Sequence, residues 1–146
     1  MSEERNIDPF SLLILVLSII AIITEIIGPF AGFYLTGYYS GNRYSCLDCG
    51  YSTGVDLILQ YLILILFVIQ IIIALNELLP NKFIPMDVTK YGMYLAILTF
   101  IFAIIGLASF GITYGSYEWW PELGFYGIVV GGLLNTILFF LQQRNK

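Results

Sequence analysis

One acid, two carboxamides and a pair of cysteines are the residues of this chain whose types and settings suggest chemistry. Glu25 sits in the run AIITEIIGPFAG, residues 21–32, at the end of a long apolar stretch and just before Gly28-Pro29. Gln70 and Asn135 interrupt two other apolar runs. An ionised carboxylate in hydrocarbon costs several kcal/mol or more unless it is relieved. No Lys or Arg lies inside any apolar run, so the chain offers Glu25 no cationic partner at that depth. Two outcomes remain open. Either Glu25 is neutral at pH 7 and hydrogen-bonds Gln70 or Asn135, or a water-filled path reaches it and a cation or substrate supplies the charge. The first makes it a structural lock on helix register; the second makes it a proton or ion site. A single acid without a second acid or base is a poor relay. Pro29 is expected to bend its helix just beyond Glu25.

Cys46 and Cys49 form a Cys-Leu-Asp-Cys motif and are the only two cysteines. Three readings compete. A disulfide clip between Cys46 and Cys49 suits an oxidising exterior and is the favoured reading. A catalytic dithiol normally sits at a helix N-terminus, which favours the thiolate, whereas this motif runs into Gly50-Tyr-Ser-Thr-Gly. Zinc needs two further ligands, which only a symmetric partner chain would bring. The absence of histidine removes His-ligated metals, bis-His haem and His-based acid–base catalysis from this chain. No metal and no other cofactor is expected.

The elements that position these groups follow from composition. Of 146 residues, 59% are apolar and 11% charged, and the mean hydropathy is +0.88. Soluble domains carry about 25% charged residues, and a chain this short cannot hide so much apolar surface from water. The solvent is therefore lipid. A net charge of −4 gives no basic footprint for nucleic acid. Four runs are long enough to span a bilayer as helices: about 10–35, 57–79, 91–113 and 123–141. The period-2 alternation of a membrane barrel is not visible. The N-terminal MSEERNIDPF has mixed charges and precedes a run too long for a removable signal, so the first span is expected in the mature protein. Asp8-Pro9, the capping box Thr53-Gly54-Val55-Asp56 and Pro121-Glu122 mark the starts of the first, second and fourth spans.

Arg5, Lys82, Lys90, Arg144 and Lys146 fall on one side of this arrangement and only Arg43 on the other. The positive-inside rule then places both termini and the short link Asn81–Asp87 in the cytoplasm. The expected fold is an all-α integral membrane protein of the cell membrane. It is a single antiparallel four-helix bundle with a small outer-loop hairpin at Gly41-Asn42.

Residues three and four apart share a helix face. The first span shows a stripe of Ser18, Ala21, Glu25, Gly28 and Gly32. The third shows Ala96, Thr99, Ala103, Gly106 and Thr113, and the fourth Gly124, Gly127, Gly131 and Asn135. Small residues let helices approach closely in lipid, so these are contact faces, and Glu25 points at other helices. Counted inward from the outer ends, Glu25, Gln70 and Asn135 lie at similar depth and are expected to meet near mid-membrane.

The outer loops are rich in Tyr and Trp. Most of these rings fit an interfacial belt. Trp119, Trp120 and Tyr44 are the candidates for partner binding, because such rings dominate interface hot spots and two adjacent tryptophans on a short loop cannot both lie on one lipid-facing side. Four spans, inward termini and a cysteine pair in the first outer loop resemble, in topology alone, tetraspan proteins such as the claudins. No functional residue carries over, since claudins have a tryptophan-rich signature before widely spaced cysteines in a longer loop.

With no soluble domain and no nucleophile–base pair, the reading leans away from an enzyme. It favours a structural or interaction subunit of a membrane complex or homo-oligomer, whose partners are the bilayer and other membrane subunits or copies of itself. The alternatives are an oligomeric channel or proton/cation-coupled transporter using Glu25, and a thiol–disulfide protein using Cys46 and Cys49.

Overall fold

The computed structural model describes residues 7–146; Arg5, one of the basic residues weighed for orientation, lies outside them. Four helices dominate: α1 (Pro9–Ile27), α2 (Val55–Leu78), α3 (Thr89–Thr113) and α4 (Leu123–Arg144). All four are long and apolar enough to cross a membrane. Each packs on the next, and α4 closes the ring against α1. Three short strands complete the chain: β1 (Ala31–Leu35), β2 (Gly41–Ser45) and β3 (Glu118–Pro121). They form one antiparallel sheet with β1 in the centre. The sheet therefore lies at one end of the bundle, beyond the C-termini of α1 and α3.

Local chemistry sets the helix boundaries. The Asp8 carboxylate accepts the Phe10 and Ser11 N–H groups, each at 3.2 Å, with Pro9 in the first turn. Thr53 and Asp56 exchange the two bonds of a capping box: Thr53 N–H donates to Asp56 Oδ1 at 2.5 Å, and Asp56 N–H donates to Thr53 Oγ1 at 3.2 Å. The Asp87 carboxylate receives the Thr89 N–H and hydroxyl where α3 begins. At α4 the acid does not cap: Glu122 accepts the Trp120 indole N–H instead, at 2.5 Å, and Pro121 ends β3.

Two boundaries differ from the sequence reading. The first span does not reach Leu35. Gly28 is already extended (φ −108°, ψ 146°) and donates the last helical bond to Thr24 O. Pro29 has no N–H to continue the ladder and disfavours helical geometry in the residue before it, so it ends the helix rather than bending it. Gly32 consequently leaves the helix stripe and becomes the second residue of β1. The hairpin turn lies at Thr36–Ser40, not at Gly41-Asn42. Gly37 takes the positive φ (116°) that the reversal needs, and Gly41 and Asn42 pair with Leu35 and Tyr34 in β2. The third loop, where no strand is expected from the sequence, supplies β3.

Strand alternation splits the sheet into two faces. Phe33 points at the bundle, stacking on Tyr114 at 4.1 Å between ring centroids and lying 6.2 Å from Phe110. It belongs to an apolar cluster with Phe30, Phe67, Phe110, Phe125, Ile63, Ile128 and Ala21, which roots the sheet in the helices. A second cluster around Ile14, Ile73, Ala96 and Phe139 fills the opposite end.

Candidate functional site

Four interior polar side chains, one from each helix, form a chain of hydrogen bonds across the bundle. Asn135 Nδ2 of α4 donates to Ser18 Oγ of α1 at 2.8 Å and to Gln70 Oε1 of α2 at 2.9 Å. Gln70 Nε2 donates to Thr99 Oγ1 of α3 at 3.1 Å, and that hydroxyl donates to the Leu95 carbonyl at 2.8 Å. All four side chains are fully buried. In lipid a carboxamide without a partner is costly, so each residue fixes the others, and helix register with them. The bundle is filled with side chains at this level.

The structure thus joins Gln70 to Asn135 but does not bring Glu25 to either. Glu25 is 1% exposed, on the inward face of α1 with Ser18 and Ala21. Neither of its carboxylate oxygens has a hydrogen-bond partner. The expected bond to an amide fails because α1 ends eight residues sooner than hydropathy suggests, which displaces the counted depth by roughly 12 Å at 1.5 Å per residue. Glu25 lies in the last turn of α1, two turns closer to the sheet than Ser18. Ser18 and Thr99, which do complete the polar chain, stood in the sequence on the small-residue stripes. Their hydroxyls were the signal that these stripes also carry hydrogen bonds.

The seam between α1 and α4 explains the setting of Glu25. Ser11 bonds Gln142 at 2.6 Å and Ser18 bonds Asn135 at 2.8 Å, seven residues further on each helix. The next step of the same register sets Glu25 level with Ile128, and on α2 and α3 it reaches Ile63 and Gly106. Close approach of the helices holds this seam together. A Cβ on Gly127 would stand 1.9 Å from Thr24 Oγ1, and one on Gly131 would stand 2.9 Å from Ala21 Cβ. Beside these glycines lies an apolar groove of about 240 Å³ lined by Leu17, Ile20, Ala21, Tyr126 and Val130.

A second buried polar site surrounds Asp56 at the start of α2. Its Oδ2 accepts the Ser45 hydroxyl at 2.5 Å, and its Oδ1 accepts the Thr53 hydroxyl at 2.6 Å in addition to the Thr53 N–H. Gln60 Nε2 reaches Ser45 Oγ at 3.3 Å. Ser52 Oγ links the set to the Cys46 carbonyl at 3.2 Å. Cys46 and Cys49 lie at disulfide distance, with Cα atoms 4.9 Å apart and the Cys49 N–H on the Cys46 carbonyl. The turn they close is tied to the α2 cap and does not open a helix of its own.

Tyr44 and Trp120 both lie opposite Gly32, one on each neighbouring strand. A Cβ on Gly32 would meet both rings at 3.0–3.1 Å, so the two side chains cover the glycine on the sheet face turned away from the bundle. Trp119 points the other way and lies across Gly111 of α3, while 38% of its surface stays exposed. Adjacent strand residues face opposite sides, which separates the two tryptophans. Tyr38 and Tyr39, at the hairpin tip, are 95% and 73% exposed.

The opposite end carries the ion pairs. Glu77 takes Lys82 at 2.7 Å and Lys146 at 3.1 Å, and Lys146 also reaches Asp87 at 2.9 Å. Hydrogen bonds from Thr89 and from Lys146 hold the Asp87 carboxyl down to about 2.

Comparison with protein-family models, curated proteins and solved structures finds no match.

Proposed function

We propose that this chain is a small multi-pass protein of the cell membrane that serves as an interaction subunit, in a membrane complex or as a homo-oligomer. In this reading the sheet end faces outward, and the end bearing Lys82, Lys90, Arg144 and Lys146 faces the cytoplasm, with both termini. The asymmetry of those basic residues against the lone Arg43 supports that orientation. Leu, Ile, Val and Phe side chains on all four helices are exposed, as a lipid-facing surface requires.

The observation that carries the proposal is the rigid aromatic face of the sheet. Tyr44 and Trp120 are packed over Gly32, with Tyr34 beside them and Tyr38 and Tyr39 at the tip. Rings held in place lose little freedom on docking, which is what makes Tyr and Trp effective anchors. A channel within one chain is disfavoured by the same geometry, because Ser18, Gln70, Thr99 and Asn135 fill the centre. A polar path would have to form between copies.

The test is the native mass of the protein after mild extraction, for the wild type and for a Tyr44→Ala, Trp120→Ala double variant. A discrete complex that dissociates in the variant, with the monomer still folded, is the expected result. A wild-type monomer without partners, or a complex indifferent to the double substitution, refutes the aromatic face as the contact.

A further inference from the structure

We propose that Glu25 is an intramembrane proton-binding site, a carboxylic acid kept in its uncharged form and open to small apolar electrophiles from the lipid. The proposal goes beyond the subunit reading and does not depend on it.

The site is defined by what surrounds the carboxyl. Both oxygens are buried and neither has a hydrogen-bond partner. Apolar or small groups dominate this level: Ala21 from α1, Ile63 and Phe67 from α2, Ala103, Gly106 and Phe110 from α3, and Ile128 and Gly131 from α4; the buried polar side chain one turn nearer the sheet on α2, Gln60, donates its amide N–H to Ser45. No Lys or Arg is buried among the described residues. The other buried acid at the sheet end is Asp56, already committed to Thr53 and Ser45. Glu25 also occupies the last turn of α1, which holds no basic side chain. There the helix dipole presents its negative end, which opposes a carboxylate. With neither a cation nor donors to hold a negative charge, a proton is the ligand that leaves the carboxyl compatible with its setting.

Access comes from the side. The apolar groove between α1 and α4 is lined by Ala21, one turn from Glu25, and by Gly127 and Gly131, which flank the level of Ile128; Glu25 itself does not line it, so a reagent seated there reaches the carboxyl by parting the α1–α4 seam. A lipid-soluble reagent can enter where a charged one cannot. Dicyclohexylcarbodiimide reacts with a carboxylic acid by adding its O–H across one C=N bond. The acyl group then shifts from oxygen to nitrogen to give an N-acylurea, which retains every atom of both reactants and releases no leaving group.

The experiment treats the protein in membranes at neutral pH with dicyclohexylcarbodiimide and, in parallel, with a water-soluble carbodiimide plus an amine, and maps the adducts by peptide mass. Infrared difference spectra of the wild type against Glu25→Gln follow the carboxylic-acid C=O band, and adduct mapping on the wild type needs no variant. The expected result is an N-acylurea on Glu25 from the lipid-soluble reagent, modification of exposed Glu118 but not Glu25 by the water-soluble one, and an acid band lost in Glu25→Gln. Absence of that band, or modification of Glu25 by the water-soluble reagent, overturns the proton site. An acid band without an adduct overturns the groove as the route.

Discussion

Asp56 and Glu25 are both buried acids in a chain read as membrane-spanning, and the protein treats them oppositely. Asp56 stands in the first turn of α2, at the positive end of the helix dipole, and accepts bonds from Thr53 N–H, Thr53 Oγ and Ser45 Oγ. Glu25 stands in the last turn of α1, at the negative end, and accepts none. The difference shows that burial does not define a structural acid. Donors and dipole direction do. One carboxyl closes a cap and ties the disulfide turn to a helix; the other is held in a wall of Ile and Phe.

The largest effect is expected from removing the satisfied acid. Asp56→Ala leaves the Thr53 N–H and the Thr53 and Ser45 hydroxyls without their acceptor and undoes the capping box, a loss of about 3 kcal/mol. Reversible unfolding in mixed micelles measures it. A change below about 0.5 kcal/mol, the range of an ordinary surface substitution, would mean that the network contributes little.

The amide chain should come next. Asn135→Leu strands Gln70 Oε1 and the Ser18 hydroxyl at a fully buried level, which is expected to cost about 1–2 kcal/mol, since hydrogen bonds in membranes are individually modest. Gln70→Leu should cost a similar amount, and the double variant less than the sum, because the two side chains share one bond. Strict additivity would show that they act separately.

A smaller and more local effect sits at the opposite end. Asp87 titrates near 2, below its ordinary 3.8, because Thr89 and then Lys146 donate to the carboxylate. A depressed folded value stabilises above the ordinary one, so the link between the α3 start and the C-terminus should be intact above pH 4 and be lost as pH falls toward 2. Carbon NMR of the Asp87 carboxyl follows this directly. In Lys146→Ala the midpoint should rise part of the way to 3.8, with Thr89 holding the remainder; an unchanged midpoint would remove Lys146 from the pair.

Much of this arrangement was legible in the sequence. Hydropathy located four long apolar helices, Thr53-x-x-Asp56 announced a capping box, and the Ser18–Ala21–Glu25 spacing pointed Glu25 inward. Hydropathy could not reveal that the first apolar run is two elements. Phe30, Ala31, Phe33 and Leu35 are as apolar in a buried strand as in a helix, and only Pro29 marked the break. That one boundary moved Glu25 out of the amide layer. The third strand was hidden for a related reason. Tyr-Glu-Trp-Trp-Pro has no alternation of its own and becomes a strand by pairing with β1. The bond from Gln142 to Asp8 joins residues 134 apart, a distance over which a single sequence carries no pattern.

The contrast between the two acids is tested most directly by unfolding Glu25→Met beside Asp56→Ala under the same conditions. Met has a similar length and no charge or polar hydrogen to satisfy. Glu25→Met is expected to match or exceed the wild type in stability, while Asp56→Ala falls by about 3 kcal/mol. A comparable loss in Glu25→Met would show that the carboxyl makes bonds that hold the fold together, and would contradict the reading of Glu25 as an unpartnered acid.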